Sequence, residues 1–550
     1  MKFIIKSLSA IVSFFLMVFP CLQTLINDIE VEFTVDTAAV GEEMENLMQS
    51  INVWEMGTGF YNVKNNEEYD IFEFVKYVQL MQCSGGNAQR DLFKDPYNTE
   101  VLDDYDFSRL LNNCAGILSL GAKPHLKLGN VPMKYTKNYE IGGFEVNVYP
   151  PDDYNVYYNY IAALAQALVD RFGKEEVLSW RFGVMTEYEN ADWFKTKGED
   201  PLATATEFCK LYDYTVQALI DVIGEEVCVG AHSMTVTEGL WDERIFIDHL
   251  ADGTNYATGE KGSRVNFLTA SFYDSKPGQF TEGFTLPETV ALLKEHAESK
   301  GLTDLFYGVD EGRILSGNKS GSDTDQLLNR TTGYTWQGAY DARLWMQGAD
   351  SGLSYFSSWN FLSNGLFDGN PTVSYHVAQL FSGFEGMQRI RVDGEKKMRL
   401  PIGSEAKAMA AVDPENGNVR VMAYSFRNDV EATGTVNMNF NINLPDGEYK
   451  IVRYYIDDNC NYFDEWLVDR EKYNITDDCS TWSPEDPMLD NPLTLSAQWA
   501  RDIYFNELKA GYAEKARLVP VEETVTVTGG CLALEESLPL NTVVFIDIVK

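Results

Sequence analysis

Two glutamates stand where β-rich runs give way to polar residues. Thr186-Glu187 closes the run from Leu178 to Met185, and Asp310-Glu311 follows the run from Leu305 to Val309. Carboxyl groups in such places suit general acid/base and nucleophilic chemistry. Cleaving a glycosidic bond with retention needs one carboxylic acid to protonate the leaving oxygen and a second carboxylate, about 5 to 5.5 Å away, to attack the anomeric carbon. Two carboxyl groups at strand ends, Glu187 and Glu311, would serve such a pair of roles. By residue type alone they are two of 83 acidic residues. Strand alternation puts Glu189 on a face similar to that of Glu187, so it competes for the acid role, and Asp310 competes with Glu311. With five His and no HExxH-type pair, a catalytic metal is not expected, and neither proposed step needs a cofactor.

Elements that would position these residues are legible around them. From about residue 70 to 380, short β-rich runs alternate with helical patterns, the sign of βαβ units and a parallel sheet. Asp106 to Leu120 has helical apolar spacing, Gly121 ends it, and Pro124 to Leu128 reads as the next strand. Tyr154 to Phe172 is a long helix stopped by Gly173, followed by a strand from Leu178 to Met185. Thr206 to Ile223 reads as helix, and Val227 to Ala231, Phe267 to Tyr273 and Leu305 to Val309 as strands. After about residue 386 the pattern changes to strands and turns, such as Asn418 to Phe426, Tyr449 to Ile456 and Thr542 to Ile548, which suggests a β-sandwich. The expected division is 1–22 as signal peptide or N-terminal anchor, 23–385 as catalytic domain and 386–550 as sandwich.

The whole-chain balance limits the partners. A formal net charge of -39 over 550 residues repels nucleic acid and anionic lipid surfaces and agrees with an uncharged substrate. Lys2 and Lys6 precede an apolar run from Ile11 to Phe19, the layout of a secretory signal, so a secreted or cell-surface location is expected. Membrane attachment would come only through that segment. Cys83, Cys114, Cys209 and Cys228 read as buried thiols, while Cys460 and Cys479, in a polar stretch, are the pair that would form a disulfide in an exported chain.

The segment from Trp180 to Asn190, with Trp193 and Phe194 beyond it, resembles the WxFEVWNEPN...FW signature of glycoside hydrolase family 39, which includes β-xylosidases and α-L-iduronidases. Tyr105-Asp106-Phe107 with Leu120 to Pro124 resembles that family's YDF...GxKP unit, and Asp170 to Val177 its DRYGxxEV. The resemblance implies a (β/α)₈ barrel followed by a β-sandwich, with the acid/base at Glu187 and the nucleophile at Glu311 in Phe306 to Gly312. It also implies sugar contacts from Thr186, Tyr273, Trp359 and Asn360, Trp359 being the stacking platform. The chain departs from the family pattern where sugar is held. Thr186 replaces an Asn, Tyr188 a Pro and Ser271 a His, and Gln79 and Met81 stand where the family has Arg and His. The expected function is therefore a retaining glycoside hydrolase of unassigned sugar. The alternative is a catalytically inactive carbohydrate-binding protein on the same fold.

Overall fold

The computed structural model describes residues 29–53, 69–198, 200–235, 243–274, 283–314, 334–358, 366–367, 369–396, 404–476, 479, 495 and 497–550. The proposed leader at 1–22 and two of the expected sugar contacts, Trp359 and Asn360, lie outside these residues. The first strand, β1 (Ile29–Glu43), stands apart from the eight that follow it. Those eight lie side by side in chain order: β2 (Ser50–Val53), β3 (Tyr77–Leu80), β4 (Lys123–Leu128), β5 (Arg181–Thr186), β6 (Cys228–Met234), β7 (Phe267–Asp274), β8 (Phe306–Ile314) and β9 (Tyr355–Phe356). Every neighbouring pair is parallel. At the far edge Phe356 N donates to Leu47 O at 2.8 Å, and Gln49 Nε2 to Ser354 O at 2.8 Å, so the last strand returns beside the first and the sheet nearly closes into a barrel.

Helices fill the connections: α1 (Ser108–Ser119), α2 (Tyr154–Phe172), α3 (Lys174–Leu178), α4 (Pro201–Ile223), α5 (Arg244–Asp252), α6 (Leu286–Ser299), α7 (Thr335–Asp350) and α8 (Val373–Ser382). Asp153 caps α2 by accepting from Asn155 N, and Gly173 ends it where expected. The expected strand from Leu178 to Met185 begins later, because Lys174–Leu178 forms one further helical turn. Alternation then sorts the side chains. In β4 Leu126 and Leu128 join the core shared with the helices, while His125 turns into the barrel and meets Phe267 edge-on at 5.4 Å. Arg181 fills the barrel floor with its guanidinium 3.7 Å from the Tyr77 ring centre and 5.1 Å from that of Tyr355. Glycines make room for these rings: a Cβ on Gly308 would lie 2.5 Å from the Tyr355 ring, and one on Gly230 2.4 Å from that of Phe267.

The C-terminal half adds a small hairpin, β10 (Leu366–Phe367) with β11 (Asn370–Pro371), and a nine-stranded sheet. That sheet runs β17 (Val521–Val527), β16 (Gly447–Ile456), β19 (Thr542–Val549), β14 (Val419–Arg427), β13 (Ser404–Val412), β12 (Gln388–Lys396), β1, β15 (Thr435–Asn443), β18 (Cys531–Pro539). β1 pairs antiparallel with β12 and parallel with β15. Residues 29–43, assigned by sequence to the catalytic domain, thus belong to the sheet of the other half. The reason is their own pattern: Val31, Phe33 and Val35 alternate, and all three enter that sheet's core. Both faces of its middle strands are buried. Val421, Ala423, Val544 and Ile546 enter the sheet's own core, while Met422, Tyr424, Phe426 and Phe545 pack into the barrel's.

A helical stretch interrupts the expected run of strands between β16 and β17. Helices Phe463–Lys472 and Lys509–Lys515 flank it, and Trp466, Tyr504 and Tyr512 form a separate small core. The Cys460–Cys479 disulfide is absent: Cys460 is a buried free thiol whose Sγ lies 3.4 Å from Asp457 O. Among the described residues no helix is long and apolar enough to cross a membrane.

Candidate active site

Three strands break register at their C-terminal ends, and each break falls beside a polar residue of interest. The β5–β6 ladder slips between Val184 and Thr186, β6–β7 between Ala231 and Met234, and β7–β8 between Ala270 and Ser271. Such bulges re-aim side chains and concentrate near active sites. Four non-glycine residues with left-handed backbones gather at the same ends: Gln82, Met185, Glu187 and Ser233, with φ of 51°, 63°, 45° and 46°. Non-glycine residues hold that conformation at a cost of about 1–3 kcal/mol each, so the surrounding structure must impose it.

The bulge on β8 decides what Asp310 and Glu311 do. Simple alternation would send them to opposite faces, but with Asp310 as the extra residue both turn into the barrel. Asp310 is fully buried and accepts from Tyr355 OH at 2.6 Å, Gln79 Nε2 at 3.1 Å, Ser233 N at 3.2 Å and the Thr269 hydroxyl. It is an anchor set beneath the site. Glu311, one step higher, pairs in register with Ser271. Its Oε1 accepts from Lys127 Nζ at 3.2 Å, and its Oε2 from Tyr273 OH at 3.4 Å.

Ser271 links the two glutamates. While lying opposite Glu311, it donates through Oγ to Glu187 Oε1 at 2.8 Å. Glu187 is held further by its backbone N–H, which donates to Ser233 O at 3.1 Å, and by Asn190 Nδ2, 3.4 Å from Oε2. Thr186 ends β5 beside it, nearly buried. Glu187, Glu311, Thr186 and Tyr273 therefore all lie at the same barrel end. Gln79, which replaces a cation of the family pattern, serves Asp310 and Ser50 rather than Glu311.

Glu189 does not share a face with Glu187, contrary to the alternation argument, because the left-handed turn at Glu187 ends the strand geometry. Its carboxylate turns to the loop after β6 and accepts from Thr235 N at 3.3 Å. Burial, then the nearby Glu243 and Glu187 charges, hold its pKa well above the ordinary carboxyl range. Two features escaped the sequence. Lys127 carried no motif, and its place inside the barrel follows only from alternation with His125. Met81, Val146 and Trp193 form a small apolar cluster, on which Phe144 stacks 4.5 Å from Trp193. Among the described residues no group of three or more His, Cys, Asp or Glu is arranged to hold a metal ion.

The family model for Glycosyl hydrolases family 39 matches residues 93–460, a span that includes Lys127, Glu187, Ser271 and Glu311. The chain belongs to glycosyl hydrolases family 39. A β-xylosidase of Geobacillus stearothermophilus is 28% identical over 139 residues, covering 24% of this chain and 26% of the relative. An α-1,4-L-rhamnosidase of Formosa agariphila is 26% identical over 240 residues, covering 40% of this chain and 46% of the relative. The matched stretches thus span about a quarter to a half of these curated family relatives. A monomeric β-xylosidase from Caulobacter crescentus has the same fold over 94% of this chain and 99% of its own, with a TM-score of 0.64 and 16% identity.

Proposed function

We propose that this family member is a retaining glycoside hydrolase, built on a (β/α)₈ barrel with a C-terminal β-sandwich, in which Glu187 is the acid/base and Glu311 the nucleophile. One observation carries the reading: Ser271 pairs with Glu311 along the sheet and donates to Glu187, which brings both carboxyl groups into one site at the strands' C-terminal ends. In the first step an oxygen of Glu311 bonds to the anomeric carbon, the glycosidic C–O bond breaks, and the Glu187 proton goes to the leaving oxygen. In the second, water attacks the same carbon, gives its proton to Glu187, and the sugar–Glu311 bond breaks with its electron pair returning to the carboxylate. Ser271 and Asn190 orient Glu187, and Lys127 and Tyr273 orient Glu311. Two relatives named for different sugars match at similar identity, and Thr186, Ser271 and Gln79 depart from the family pattern where sugar is held. The sugar is accordingly left open. The basic and apolar N-terminal residues support action outside the cell.

A screen of aryl glycosides and plant, host and bacterial polysaccharides tests the reading. The wild type should turn over at least one, Glu187→Gln should lose about 10²–10⁴-fold on substrates with poor leaving groups, and Glu311→Gln should lose all measurable turnover. A 2-deoxy-2-fluoro glycoside should label Glu311, as seen by peptide mass. Turnover unchanged in Glu311→Gln would remove the nucleophile assignment. Sugar binding without turnover or label would favour the inactive carbohydrate-binding reading instead.

A further inference from the structure

Lys127 is the unusual member of the site. Its side chain is 2% exposed, and its ammonium lies 3.2 Å from Glu311 Oε1 and 3.5 Å from Ser233 Oγ. Among the described residues Glu311 is the only carboxylate within ion-pair distance of it. The reach from β4 to β8 is possible because small residues intervene. Gly183 stands in register beside Lys127 on β5, and Ser233 occupies the bulge on β6. A buried ammonium is costly unless it is paired, so its energy depends on the charge state of the one carboxylate it faces.

That charge changes twice in each turnover. When a Glu311 oxygen bonds to the anomeric carbon, the carboxylate becomes a neutral ester and the ammonium loses its counter-ion. When water displaces the ester oxygen, the bonding electron pair returns to Glu311 and the ion pair is restored. An interaction that strengthens on the way to a transition state accelerates that step, and one that weakens does not. Resting on the retaining reading above, we propose that Lys127 is a positioning residue whose ammonium destabilises the covalent glycosyl-enzyme and speeds its hydrolysis. Its contribution to the first step is small or opposing, since there the facing negative charge disappears. Tyr273, whose hydroxyl is neutral and reaches the other oxygen, makes no comparable distinction.

The test separates the two chemical steps. On the 2,4-dinitrophenyl glycoside of the sugar found in the screen, with β-D-xylopyranoside tried first, Lys127→Met should lower kcat by about tenfold to a hundredfold. KM should fall in step, leaving kcat/KM within about threefold of wild type. Rapid mixing should show a burst of dinitrophenolate approaching one equivalent, and intact mass should show the sugar adduct accumulating during turnover. Lys127→Arg should restore much of kcat by restoring the charge. If Lys127→Met does not fold, Lys127→Gln serves, with the same split expected. A purely structural lysine would lower kcat and kcat/KM together without a burst, and that result overturns the proposal. Failure of the wild type to form any adduct on Glu311 with the 2-deoxy-2-fluoro analogue overturns the retaining reading, and the inference with it. An adduct that forms normally and hydrolyses equally fast in wild type and Lys127→Met overturns the inference alone.

Discussion

Four carboxyl groups come in two close pairs along the sequence, at 187 and 189 and at 310 and 311, and their surroundings give them different tasks. Burial first, and then Glu243 and Glu187, hold the pKa of Glu189 well above the ordinary carboxyl range. Between the ordinary carboxyl range and its raised value, the folded protein keeps a proton that the unfolded chain has lost. Stability from this group is therefore full at low pH and declines as pH rises toward the raised pKa. Glu189→Gln mimics the protonated form, so its melting temperature should match wild type near pH 4 and exceed it increasingly as pH rises toward 9, as read by calorimetry across that range. Parallel curves would show that Glu189 is not held protonated. Asp310 behaves differently: four donors converge on it, and Asp310→Asn would turn an amino group toward some of them. A loss of about 2–4 kcal/mol is expected, seen as a lowered melting temperature accompanied by reduced turnover. Lost turnover with an unchanged melting temperature would instead make Asp310 a chemical participant. Residue type and spacing nominated these four without dividing them, and the family resemblance favoured Glu187 and Glu311 without giving a physical reason. The division rests on the β8 bulge and the left-handed backbone at Glu187, and neither leaves a mark on hydrophobic periodicity.

At the level of strands and helices, what could be read from the chain was what repeats. Tyr154–Phe172 appears as expected because an N-cap and a terminal glycine bracket a long amphipathic run, and β4 and β7 appear because their outward residues are continuously apolar. β2 and β9 do not declare themselves by periodicity. They are four and two residues long, too short for a period to register, and their place is fixed by contacts with other strands, such as that of Tyr355 OH on β9 with Asp310 on β8. The barrel interior also reads poorly, since its packing pairs residues from distant strands. Gly308 on β8 illustrates this: it faces the Tyr355 ring of β9, and that same ring's hydroxyl holds Asp310. Gly308→Ala should push the ring away, costing about 1–3 kcal/mol through overpacking and loosening the anchor beneath Glu311. Reduced turnover should accompany the lower melting temperature. Tyr355→Phe, which deletes the hydroxyl without crowding, should reproduce much of the loss in turnover. If Gly308→Ala is neutral in both assays, the close approach does not constrain the barrel.

Over the whole molecule, β1 ties an early stretch of the chain to the sheet of the C-terminal half. β1 fills the gap between β12 and β15 before the chain enters the barrel. Without it the nine-stranded sheet would split into two pieces with unpaired inner edges, and unpaired edges recruit other chains. The sheet's other face is also structural for the barrel. Phe426 of β14 packs 5.8 Å from Trp336 on α7, and Arg343 on the same helix pairs with Glu405 of β13. Because α7 lies between β8, which carries Glu311, and β9, a split sheet should disturb the site as well as the fold. A chain starting at residue 29 should melt with the full-length protein and keep its turnover. One starting at residue 44 should lose the burial of Val31, Phe33 and Val35 along with both ladders, and so aggregate or melt far lower. Size-exclusion chromatography with light scattering and thermal melts of the two truncations decide the matter: a monodisperse, active 44–550 chain would show that β1 is dispensable and that the barrel stands without a complete sheet against it.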